Sequence, residues 1–555
     1  MSETPQRLSH QPSEVIDRYS SVSFTFDGKP VTGLRGDTIA SALYAAGQRT
    51  FSRSVKYHRR RGLMCCSGDC PNCLITVDGK PVMRACTEPV REGARVEPLH
   101  AIGGPDEDLP KRRLPGYEWV ARRRDGAERL SAERLSAEAL KPGPEAEQRE
   151  READLLVVGG GVAGLSGAIA AAELGADVVL ADDGPRLGGR LLWEGGHEQA
   201  RALAEQARRL GVELLSGACA EGHADGRVLV RQGSVLRRIR ARRYLYATGS
   251  IEQPLMFAGN DLPGVMLSGG ARRLASLYSV LPGTRAVVVT TSDRGVRAAI
   301  ALAAAGVRIS VVADLRPDAS RACKRLPANG VQPLQGWTIL AARGRREVRS
   351  AVLAPVATLR SGASPSQRRE LECDLLIVSG GDAPATSLIT AAGGRTEYDP
   401  SRGNFRLAAL PEGSLAAGQL AGEGGWGVAE VSGELAGLEA ARALGFGNGS
   451  QSSRRAALRS RLAANDRPDR AVPPADAGAT DPARSFACFC ADVSAKDIHK
   501  CVEAGQRSID QCKQHTFVTM GPCEGRMCAL TALRLMAKET GQSPDQLVAP
   551  PAPVG

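Results

Sequence analysis

Cysteines near the N-terminus constrain this sequence most, because their spacing lets one loop surround a metal cluster. Cys65, Cys70 and Cys73 are separated by four and then by two residues, and Cys86 follows after twelve more. The first three match the plant-type spacing of [2Fe-2S] ligands. Small residues between the first two ligands leave room for backbone N–H groups to face the sulfides. We therefore predict that these four cysteines bind a [2Fe-2S] cluster and that Cys66 is not a ligand; zinc binding and inert buried thiols are the alternatives.

A second group of cysteines lies near the C-terminus. Cys488 and Cys490 are one residue apart, and Cys523 and Cys528 follow 32 residues later with four residues between them. Two close pairs beside short predicted helices suit either a zinc ion or a [2Fe-2S] cluster, and the spacing does not decide between them. Buried or idle thiols are expected for the remaining cysteines, which are Cys501 and Cys512 on predicted helices and the scattered Cys219, Cys323 and Cys373.

A glycine-rich turn follows the first predicted strand of the central part of the chain. Residues 153–183 read as strand, turn, helix and strand, with Gly159, Gly161 and Gly164 at the turn. In a dinucleotide-binding unit such glycines permit the tight turn, the approach of a pyrophosphate and the packing of helix on strand. Asp182 ends the second strand, where a carboxylate can bind a ribose hydroxyl, and its neighbour Asp183 could do so instead. The pattern predicts a dinucleotide site, with an empty Rossmann-like turn as the alternative.

Two further motifs concern the nucleotide that binds there. The string "LGGRL" contains Gly188 and Gly189, and "YLYATGS" contains Thr248 and Gly249. Both resemble later signatures of flavoprotein reductases with two dinucleotide-binding domains, in which the first glycine motif holds FAD. The resemblance favours FAD, with a different nucleotide as the alternative. Gln419 departs from the pattern, because these reductases usually place an aspartate against the flavin ribityl chain at this position.

A second nucleotide unit should follow, and residues 284–314 have the required order of strand, helix and strand. Thr290 and Ser292 stand where the first two glycines belong, so that only Gly295 remains. Their side chains obstruct the close approach of a pyrophosphate. We therefore expect a retained fold that does not bind NAD(P)H, which argues against a reductase that uses a pyridine nucleotide.

Length and composition divide the chain into several domains. At 555 residues it exceeds what one hydrophobic core usually organises. Asp-Gly turns predict β-hairpins in the first part of the chain. Alternating strands and Ala/Gly-rich helices predict parallel sheets in the central part. The predicted segments are a strand-rich domain at 1–105, a charged linker at 106–151, a flavoprotein domain at 152–450, a proline-rich flexible linker at 451–484 and a small, mainly helical domain at 485–545.

The charge of the chain does not indicate a nucleic-acid partner. The net charge of +11 comes from 72 basic and 61 acidic residues, and only "KYHRRRG" at 56–62 is densely basic. Aromatic residues make up 4%, too few for a stacking surface, so a solvated arginine-rich surface is expected. No signal peptide or membrane-spanning stretch is visible, which predicts a cytoplasmic protein. No catalytic residue is assigned, since His58, His197 and His515 read as surface or packing groups.

The two ends of the chain resemble one protein family. The strings "FTFDGKPVTGLRGDTIASAL", "FSRSVKYHRRRG" and "GDCPNCLITVDGKPVMRAC" resemble the ferredoxin-like domain of the sarcosine oxidase alpha-subunit family, in its iron-sulfur branch. The strings "AGQRSIDQCKQHT" and "MGPCEGRMC" resemble the bacterioferritin-associated-ferredoxin-like domain of hydrogen cyanide synthase and opine dehydrogenase subunits, which favours a cluster over zinc there. The resemblance implies a multidomain α/β and α+β protein: a β-grasp [2Fe-2S] domain, a Rossmann-like flavoprotein core with two dinucleotide-binding domains, and a small helical [2Fe-2S] domain.

The resemblance also implies a function. The chain would be the alpha subunit of a heteromeric FAD-dependent amine or imino-acid dehydrogenase of the proline, hydroxyproline, sarcosine or opine type. FAD and two [2Fe-2S] clusters would carry electrons from an FAD-containing beta subunit of the D-amino-acid-oxidase type to a quinone or a carrier protein, and an FMN can lie between the subunits. Alternatives are a self-sufficient NAD(P)H-dependent flavin reductase, an iron-sulfur carrier or redox sensor, and a subunit of a glycine dehydrogenase of the hydrogen cyanide synthase type. The likeness stops before the folate-binding half of the family's longer members, so no folate chemistry is expected.

Overall fold

The computed structural model describes residues 7–101, 104–106, 146–357, 367–447, 451–465 and 481–548. These residues form two compact units, and both units are discontinuous in sequence. Unit 1 contains the described residues of Met1–Lys141, Glu252–Gly381 and Ala471–Gly555, and unit 2 those of Pro142–Ile251 and Asp382–Arg470. The cysteines of both predicted clusters therefore belong to unit 1, and the first glycine-rich turn belongs to unit 2.

The N-terminal part of unit 1 is a mixed five-stranded sheet in the order β2-β1-β7-β5-β6. Its two hairpins turn at Asp27-Gly28 and Asp78-Gly79, where all four residues have positive φ, as a tight hairpin turn requires. The helix after the first hairpin is almost wholly buried. This is the predicted β-grasp arrangement. Its elements are β1 (Asp17–Phe26), β2 (Lys29–Arg35), α1 (Ile39–Ala45), β3 (Ser52–Arg53), β4 (Arg60–Arg61), β5 (Leu74–Val77), β6 (Lys80–Arg84) and β7 (Arg95–Pro98).

The first part of unit 2 contains the strands of a Rossmann-like sheet, in the order β10-β9-β8-β13-β12-β11. Strands β10, β9, β8 and β13 are parallel, and β13 continues into an antiparallel pair with β12. The elements are β8 (Glu147–Val158), α2 (Val162–Ala172), β9 (Val178–Asp182), α3 (Leu191–Glu194), α4 (His197–Arg209), β10 (Glu213–Ser216), β11 (Cys219–Ala224), β12 (Arg227–Gln232), β13 (Val235–Tyr246) and β14 (Ser250–Glu252).

The middle part of unit 1 repeats the strand and helix alternation. A parallel five-stranded sheet has the order β15-β22-β16-β17-β18, beside a small antiparallel sheet of β19, β20 and β21. Buried aliphatic side chains of this sheet share one hydrophobic cluster with the core of the β-grasp sheet. The elements are β15 (Val265–Leu267), α5 (Ser268–Tyr278), β16 (Arg285–Thr290), α6 (Asp293–Ala304), β17 (Arg308–Asp314), β18 (Pro333–Gln335), β19 (Trp337–Arg343), β20 (Ser350–Pro355), β21 (Arg369–Glu372) and β22 (Leu375–Ser379), with short 3-10 turns at Cys323–Arg325 and Pro327–Asn329.

The second part of unit 2 returns to its sheet through β26, which pairs with β13 in parallel. A long helix, α8, then packs on α2. The elements are β23 (Asp382–Pro384), α7 (Ser387–Ala391), β24 (Arg395–Asp399), β25 (Asn404–Ala409), β26 (Ser414–Ala416), a 3-10 turn (Gly418–Ala421), α8 (Trp426–Ala443) and α9 (Ser452–Asn465).

Both predicted linkers contain regular structure where the chain is described. Residues 107–145 and 466–480 lie outside the described residues, but Glu147–Arg151 extend β8 and pair with β13. Helix α9 replaces the flexible segment expected from residue 451 onwards. It buries Leu458, and its Arg454 and Arg459 pair with Glu434 and Glu439 of α8. Contacts with this neighbouring helix add to the helix propensity of a sequence rich in arginine, alanine and leucine.

The C-terminal part of unit 1 is small and mainly helical, as predicted. Its first long helix begins with a capping box in which Ser494 and Asp497 satisfy each other's backbone N–H groups. Among the described residues, no helix has both the length and the apolar character that a membrane crossing needs. The elements are β27 (Phe486–Cys488), β28 (Val493–Ser494), α10 (Ala495–Glu503), α11 (Ile509–Thr516), α12 (Ala529–Thr540) and α13 (Pro544–Leu547).

The basic run at 56–62 is not a solvated surface. Arg60 and Arg61 are buried, and Arg61 is only 2% exposed. Arg61 forms ion pairs with Asp261 and Asp492, while Arg59 binds Asp261 as well. The expectation of solvated arginines is wrong for this run, because carboxylates from two later stretches of unit 1 neutralise it.

Candidate functional site

The first cysteine group lies on the loop between β4 and β5 and just after β6. Cys65, Cys70, Cys73 and Cys86 are all at most 5% exposed. Hydrogen bonds link Cys65 with Cys70, Cys65 with Cys86, and Cys86 with Cys73. The structure therefore brings the four predicted ligands together. Cys66 is left out of this group: its backbone has a φ of +51°, and its side chain packs against the hydrophobic core.

Electrostatics at the first group favour a thiolate. Hydrogen bonds from Cys70 and Cys86 hold the pKa of Cys65 well below its usual value, and the backbone N–H of Ser67 lies 3.5 Å from its Sγ. Arg84, two residues before Cys86, has a buried Nε without a hydrogen-bond partner in the described part of the chain. The same hydrogen bonds raise the pKa of Cys70 and of Cys86 well above the usual value, so one thiolate is shared within the group. A group of four thiols and an unused N–H donor fit a [2Fe-2S] cluster.

The second cysteine group closes into a ring. Cys488 ends β27 and Cys490 follows it, and Cys528 is the N-cap residue of α12. Each thiol hydrogen bonds to two others, in the order Cys488, Cys490, Cys523, Cys528 and back to Cys488. Hydrogen bonds from neighbouring thiols lower the pKa of Cys488 to about 3 and that of Cys523 to about 2. The same hydrogen bonds raise the pKa of Cys490 and of Cys528 well above the usual value. Here too the structure assembles the four predicted residues.

Gly521 belongs to the second group, although no sequence motif selected it. A Cβ atom on this glycine would lie 2.1 Å from the Cβ atom and 2.7 Å from Sγ of Cys490. Only glycine can therefore bring the loop before Cys523 so close to the first cysteine pair. Its position two residues before a cysteine was visible in the sequence, but the close approach depends on the folded loop.

A site for a single metal ion is a different arrangement from these thiol contacts. Across the described residues, no three or more His, Cys, Asp or Glu side chains surround a point where one metal ion could sit.

The loops that carry the two cysteine groups contact each other within unit 1. Nη2 of Arg84 donates a hydrogen bond to the carbonyl oxygen of Pro522 at 2.6 Å. Burial raises the pKa of Asp69, which precedes Cys70, to about 6, and the positive charge of Arg526 in the second loop acts in the opposite direction. The two candidate centres are therefore neighbours.

Helix α5 supports the first loop from the middle part of unit 1. The backbone of Met64 and Cys65 lies against Gly270. A Cβ atom on this glycine would be 2.2 Å from the carbonyl oxygen of Met64. Arg273, one turn further along α5, donates to the carbonyl oxygen of Cys65 at 3.2 Å. The loop is thus fixed by a helix that has a glycine at the point of contact.

The predicted dinucleotide turn of unit 2 has the expected shape. Gly159 has a φ of +108°, and a Cβ atom on it would lie 2.3 Å from the carbonyl oxygen of Ala247. Gly164 packs so closely that a Cβ atom would lie 1.8 Å from the carbonyl oxygen of Gly159. Gly161, the N-cap of α2, faces open space and has no side chain to cap the helix. The first N–H groups of α2 are thus available to a phosphate.

The other predicted nucleotide residues surround this turn. Gly188 donates its N–H to the carbonyl oxygen of Gly160, and Gly189 lies against Gly161. Thr248 and Gly249 follow Ala247, whose carbonyl oxygen touches Gly159, and Gly249 has a φ of +75° with open space beside it. The glycine turn, the LGGRL string and the YLYATGS string therefore lie together in the fold, which their spacing in the sequence could only suggest.

Asp182 is oriented by the glycine turn itself. Its carboxylate accepts hydrogen bonds from the N–H groups of Gly160 at 2.6 Å and Gly184 at 2.9 Å. Burial raises the pKa of Asp182 to about 6, and the charge of Asp183 adds to the rise. Asp183 is exposed. The structure thus places Asp182, more than Asp183, at the turn.

Gln419 occupies the position where an aspartate was expected. Its side-chain oxygen accepts a hydrogen bond from Ser250 at 3.1 Å, and Ser250 also donates to Asp382 at 3.1 Å. A carboxylate is therefore present beside Gln419, but it comes from a different strand. Gly418, with a φ of +70°, donates its N–H to Ser432 of α8.

The second nucleotide unit, in unit 1, is filled by its own side chains. Thr290 donates to the carbonyl oxygen of Ser292, and Ser292 caps α6 by accepting from the N–H of Arg294. Thr290 and Ser292 are both buried. Arg294 pairs with the buried Glu252 at 3.2 Å. The start of this helix is therefore occupied by protein groups where a pyrophosphate would otherwise bind.

The remaining residues singled out in the sequence lie away from these sites or play packing roles. His58 is buried, whereas His515 is exposed and His197 begins α4. Cys501 and Cys512 are buried and contact each other between α10 and α11. The others are Cys323 and Cys373, which are buried, and Cys219, which is exposed.

Comparison with known protein families covers most of the chain. Residues 20–100 match a family described as a 2Fe-2S iron-sulfur cluster binding domain. Residues 153–403 match the pyridine nucleotide-disulphide oxidoreductase family, and residues 482–550 match the sarcosine oxidase A3 domain. The chain therefore has an iron-sulfur domain and a flavoprotein-type core.

Curated relatives extend this similarity. The alpha subunit of sarcosine oxidase from Rhizobium meliloti (strain 1021) is 30% identical over 96% of this chain and 56% of the relative. The opine oxidase A-subunit from the same organism is 30% identical over 69% of this chain and 92% of the relative. The chain spans about half the length of the sarcosine oxidase alpha subunits that it matches.

A solved structure has the same fold along the whole chain. The crystal structure of L-proline dehydrogenase from P. horikoshii matches with a TM-score of 0.72 and 19% identity, covering 98% of this chain and 97% of the other. At this identity the match establishes the fold alone. It agrees with the multidomain architecture predicted from the sequence.

Proposed function

Because this chain belongs to the family that contains sarcosine oxidase alpha subunits and opine oxidase A-subunits, we propose that it is the electron-transferring subunit of a heteromeric amine or imino-acid dehydrogenase. In this proposal a partner subunit oxidises the carbon-nitrogen bond of the substrate. This chain then receives the electrons on a flavin and passes them through two [2Fe-2S] clusters to an acceptor.

One observation carries the proposal: two four-thiol groups lie in neighbouring loops of unit 1. Cys65, Cys70, Cys73 and Cys86 would hold one cluster, and Cys488, Cys490, Cys523 and Cys528 the other. Such clusters carry one electron at a time, whereas a flavin accepts a hydride and can release its electrons singly. The protein contributes the thiolates, the N–H donors around them and the exclusion of water by burial.

The glycine turn of unit 2 supports FAD as the nucleotide. The open side of Gly161 and the uncapped N–H groups of α2 would receive the pyrophosphate. Asp182 would bind the ribose, and Gly188, Gly189, Thr248 and Gly249 would line the remainder of the dinucleotide. Gln419, Ser250 and Asp382 offer polar groups for the ribityl chain in place of the single aspartate that was expected.

Substrate and partners follow from the relatives that the chain resembles. Sarcosine and opines appear in their names, so we propose a secondary amine as the substrate of the complex. The partner is proposed to be an FAD-containing beta subunit of the D-amino-acid-oxidase type, with an FMN between the subunits. A quinone or a carrier protein would accept the electrons.

Iron, sulfide, zinc and flavin analysis of the purified full chain tests the proposal. We expect about four irons and four labile sulfides per chain, as two [2Fe-2S] clusters require. Cys65→Ser and Cys488→Ser should each lose about half of the iron, because each removes one ligand of one cluster. Cys66→Ser is the matched control and should keep all of it, since Cys66 lies outside the thiol group.

Zinc in place of iron would contradict the electron-transfer role. Loss of iron in Cys66→Ser together with its retention in Cys65→Ser would show that the ligand assignment is wrong. Iron without bound flavin would favour a simple iron-sulfur carrier over the dehydrogenase subunit.

A further inference from the structure

Arg84 is placed between the two cysteine groups. It ends β6 two residues before Cys86, and its Nη2 donates to the carbonyl oxygen of Pro522, the residue before Cys523. One side chain therefore spans from the backbone of the first group to the backbone of the second. The hydrogen bond is 2.6 Å long and joins residues 438 positions apart in the sequence.

The same guanidinium has a second donor that the protein does not use. Its Nε is buried and has no hydrogen-bond partner among the described residues. The loop of the first group passes beside it, since a Cβ atom on Gly68 would lie 3.7 Å from Cδ of Arg84. A buried N–H without an acceptor is unfavourable. A sulfur atom of a bound cluster would be an acceptor for it.

One other feature fixes the second loop at this point. Gly521 precedes Pro522 and lies against Cys490, where a Cβ atom would be 2.1 Å from the Cβ atom of that cysteine. This close packing fixes the carbonyl oxygen of Pro522 that Arg84 binds.

We propose that Arg84 is a positioning residue that couples the two clusters, so that electrons pass directly between them without returning to the flavin. This rests on the proposed function, because it requires both clusters. In the step one electron leaves a reduced cluster and reduces the other, and no bond is formed and no proton moves. An arginine suits this place because it stays charged and can donate from several N–H groups at once. Its positive charge also offsets the repulsion between two clusters that thiolates and sulfides make negative.

Electron paramagnetic resonance of the full chain, reduced with dithionite, tests this coupling. Each reduced [2Fe-2S] cluster is paramagnetic, so two neighbouring reduced clusters should broaden or split each other's signals. We expect that interaction in the wild type and its loss or weakening in Arg84→Gln, with the iron content unchanged. Arg84→Lys, which keeps the charge and a donor, should retain part of it. Arg91→Gln is the matched control, because Arg91 is a largely exposed arginine of the same domain and pairs with Asp78.

A second measurement follows the transfer of an electron between the clusters directly. After photochemical injection of about one electron per chain and rapid freezing, the wild type should show the electron distributed between the clusters. Arg84→Gln should trap it on one of them. Two non-interacting signals from a wild type that contains four irons would overturn the coupling and leave the proposed function standing. A wild type with only two irons would overturn the proposed function itself.

Discussion

At the scale of single residues, the buried guanidinium of Arg61 connects three distant stretches of unit 1. It is 2% exposed, lies 2.8 Å from Oδ2 of Asp261 and forms a second ion pair with Asp492. Burial alone would raise the pKa of Asp261, but hydrogen bonding to Arg59 and the charges of Arg61 and Arg59 hold it below its usual value. Both carboxylates are fully buried and depend on these arginines.

We therefore expect Arg61→Met to lower the stability of the protein strongly. Removing one partner of a buried ion pair leaves an uncompensated charge and costs about 3–5 kcal/mol. Thermal unfolding followed by circular dichroism measures the effect as a fall in Tm. Arg91→Met serves as the control, because its ion pair with Asp78 is exposed and such pairs contribute about 0–1 kcal/mol. Similar Tm values for the two variants would contradict the role assigned to Arg61.

Residue identity alone could not have revealed this role. Three consecutive arginines predict a solvated surface, and the partners of Arg61 lie 200 and 431 residues further along the chain. By contrast, the cysteine spacings selected two sets of thiols that the fold does assemble. Ligand spacing within one loop is a local property, whereas the neutralisation of a buried charge depends on segments that only the tertiary fold brings together.

At the scale of elements, helices α2 and α8 of unit 2 cross at glycines. A Cβ atom on Gly433 would lie 2.0 Å from the carbonyl oxygen of Ala163, in the first turn of α2. Gly437 approaches Gly167 in the same way. The crossing therefore positions the start of α2, whose free N–H groups are the proposed pyrophosphate site.

We expect Gly433→Ala to weaken both flavin retention and stability. The added methyl group must push the helices apart, and such overpacking costs about 1–3 kcal/mol. The ratio of flavin to protein absorbance and the denaturation midpoint should both fall. Gly427→Ala is the matched control on the same helix: a Cβ atom there meets nothing within 4 Å, and alanine is the better helix former by about 0.5–1 kcal/mol. Equal flavin content in the two variants would argue against this crossing as a determinant of the site.

Most helices and strands could be predicted from the sequence, and helix α9 is an exception. Strand, glycine turn, helix and aspartate followed from residues 153–183, because a Rossmann-like unit encodes them locally. Helix α9 lies in the predicted flexible linker, although its arginine, alanine and leucine residues are strong helix formers. The burial of Leu458 and the ion pairs with α8 add to that propensity. Only these contacts depend on the tertiary fold.

At the scale of the whole molecule, the two ends of the chain meet in one compact unit. The β-grasp part and the C-terminal helical part both belong to unit 1, together with the degenerate second nucleotide unit. The sequence predicted the separate parts but not their association. Arg84 and Pro522 carry no motif that marks them as partners, and their contact is known only from the folded chain.

The second nucleotide unit, which its own side chains fill, predicts that the chain does not receive electrons from NADH or NADPH. In the second nucleotide unit Ser292 caps α6 with its own side chain, and Thr290 is fully buried against it. A pyrophosphate would have to displace these groups from the helix start. Anaerobic addition of NADPH or NADH to the flavin-loaded chain should therefore leave the flavin absorbance unchanged, whereas dithionite should bleach it as the positive control. Rapid bleaching by NADPH would instead identify a self-sufficient reductase, and the need for a substrate-oxidising partner would disappear with it.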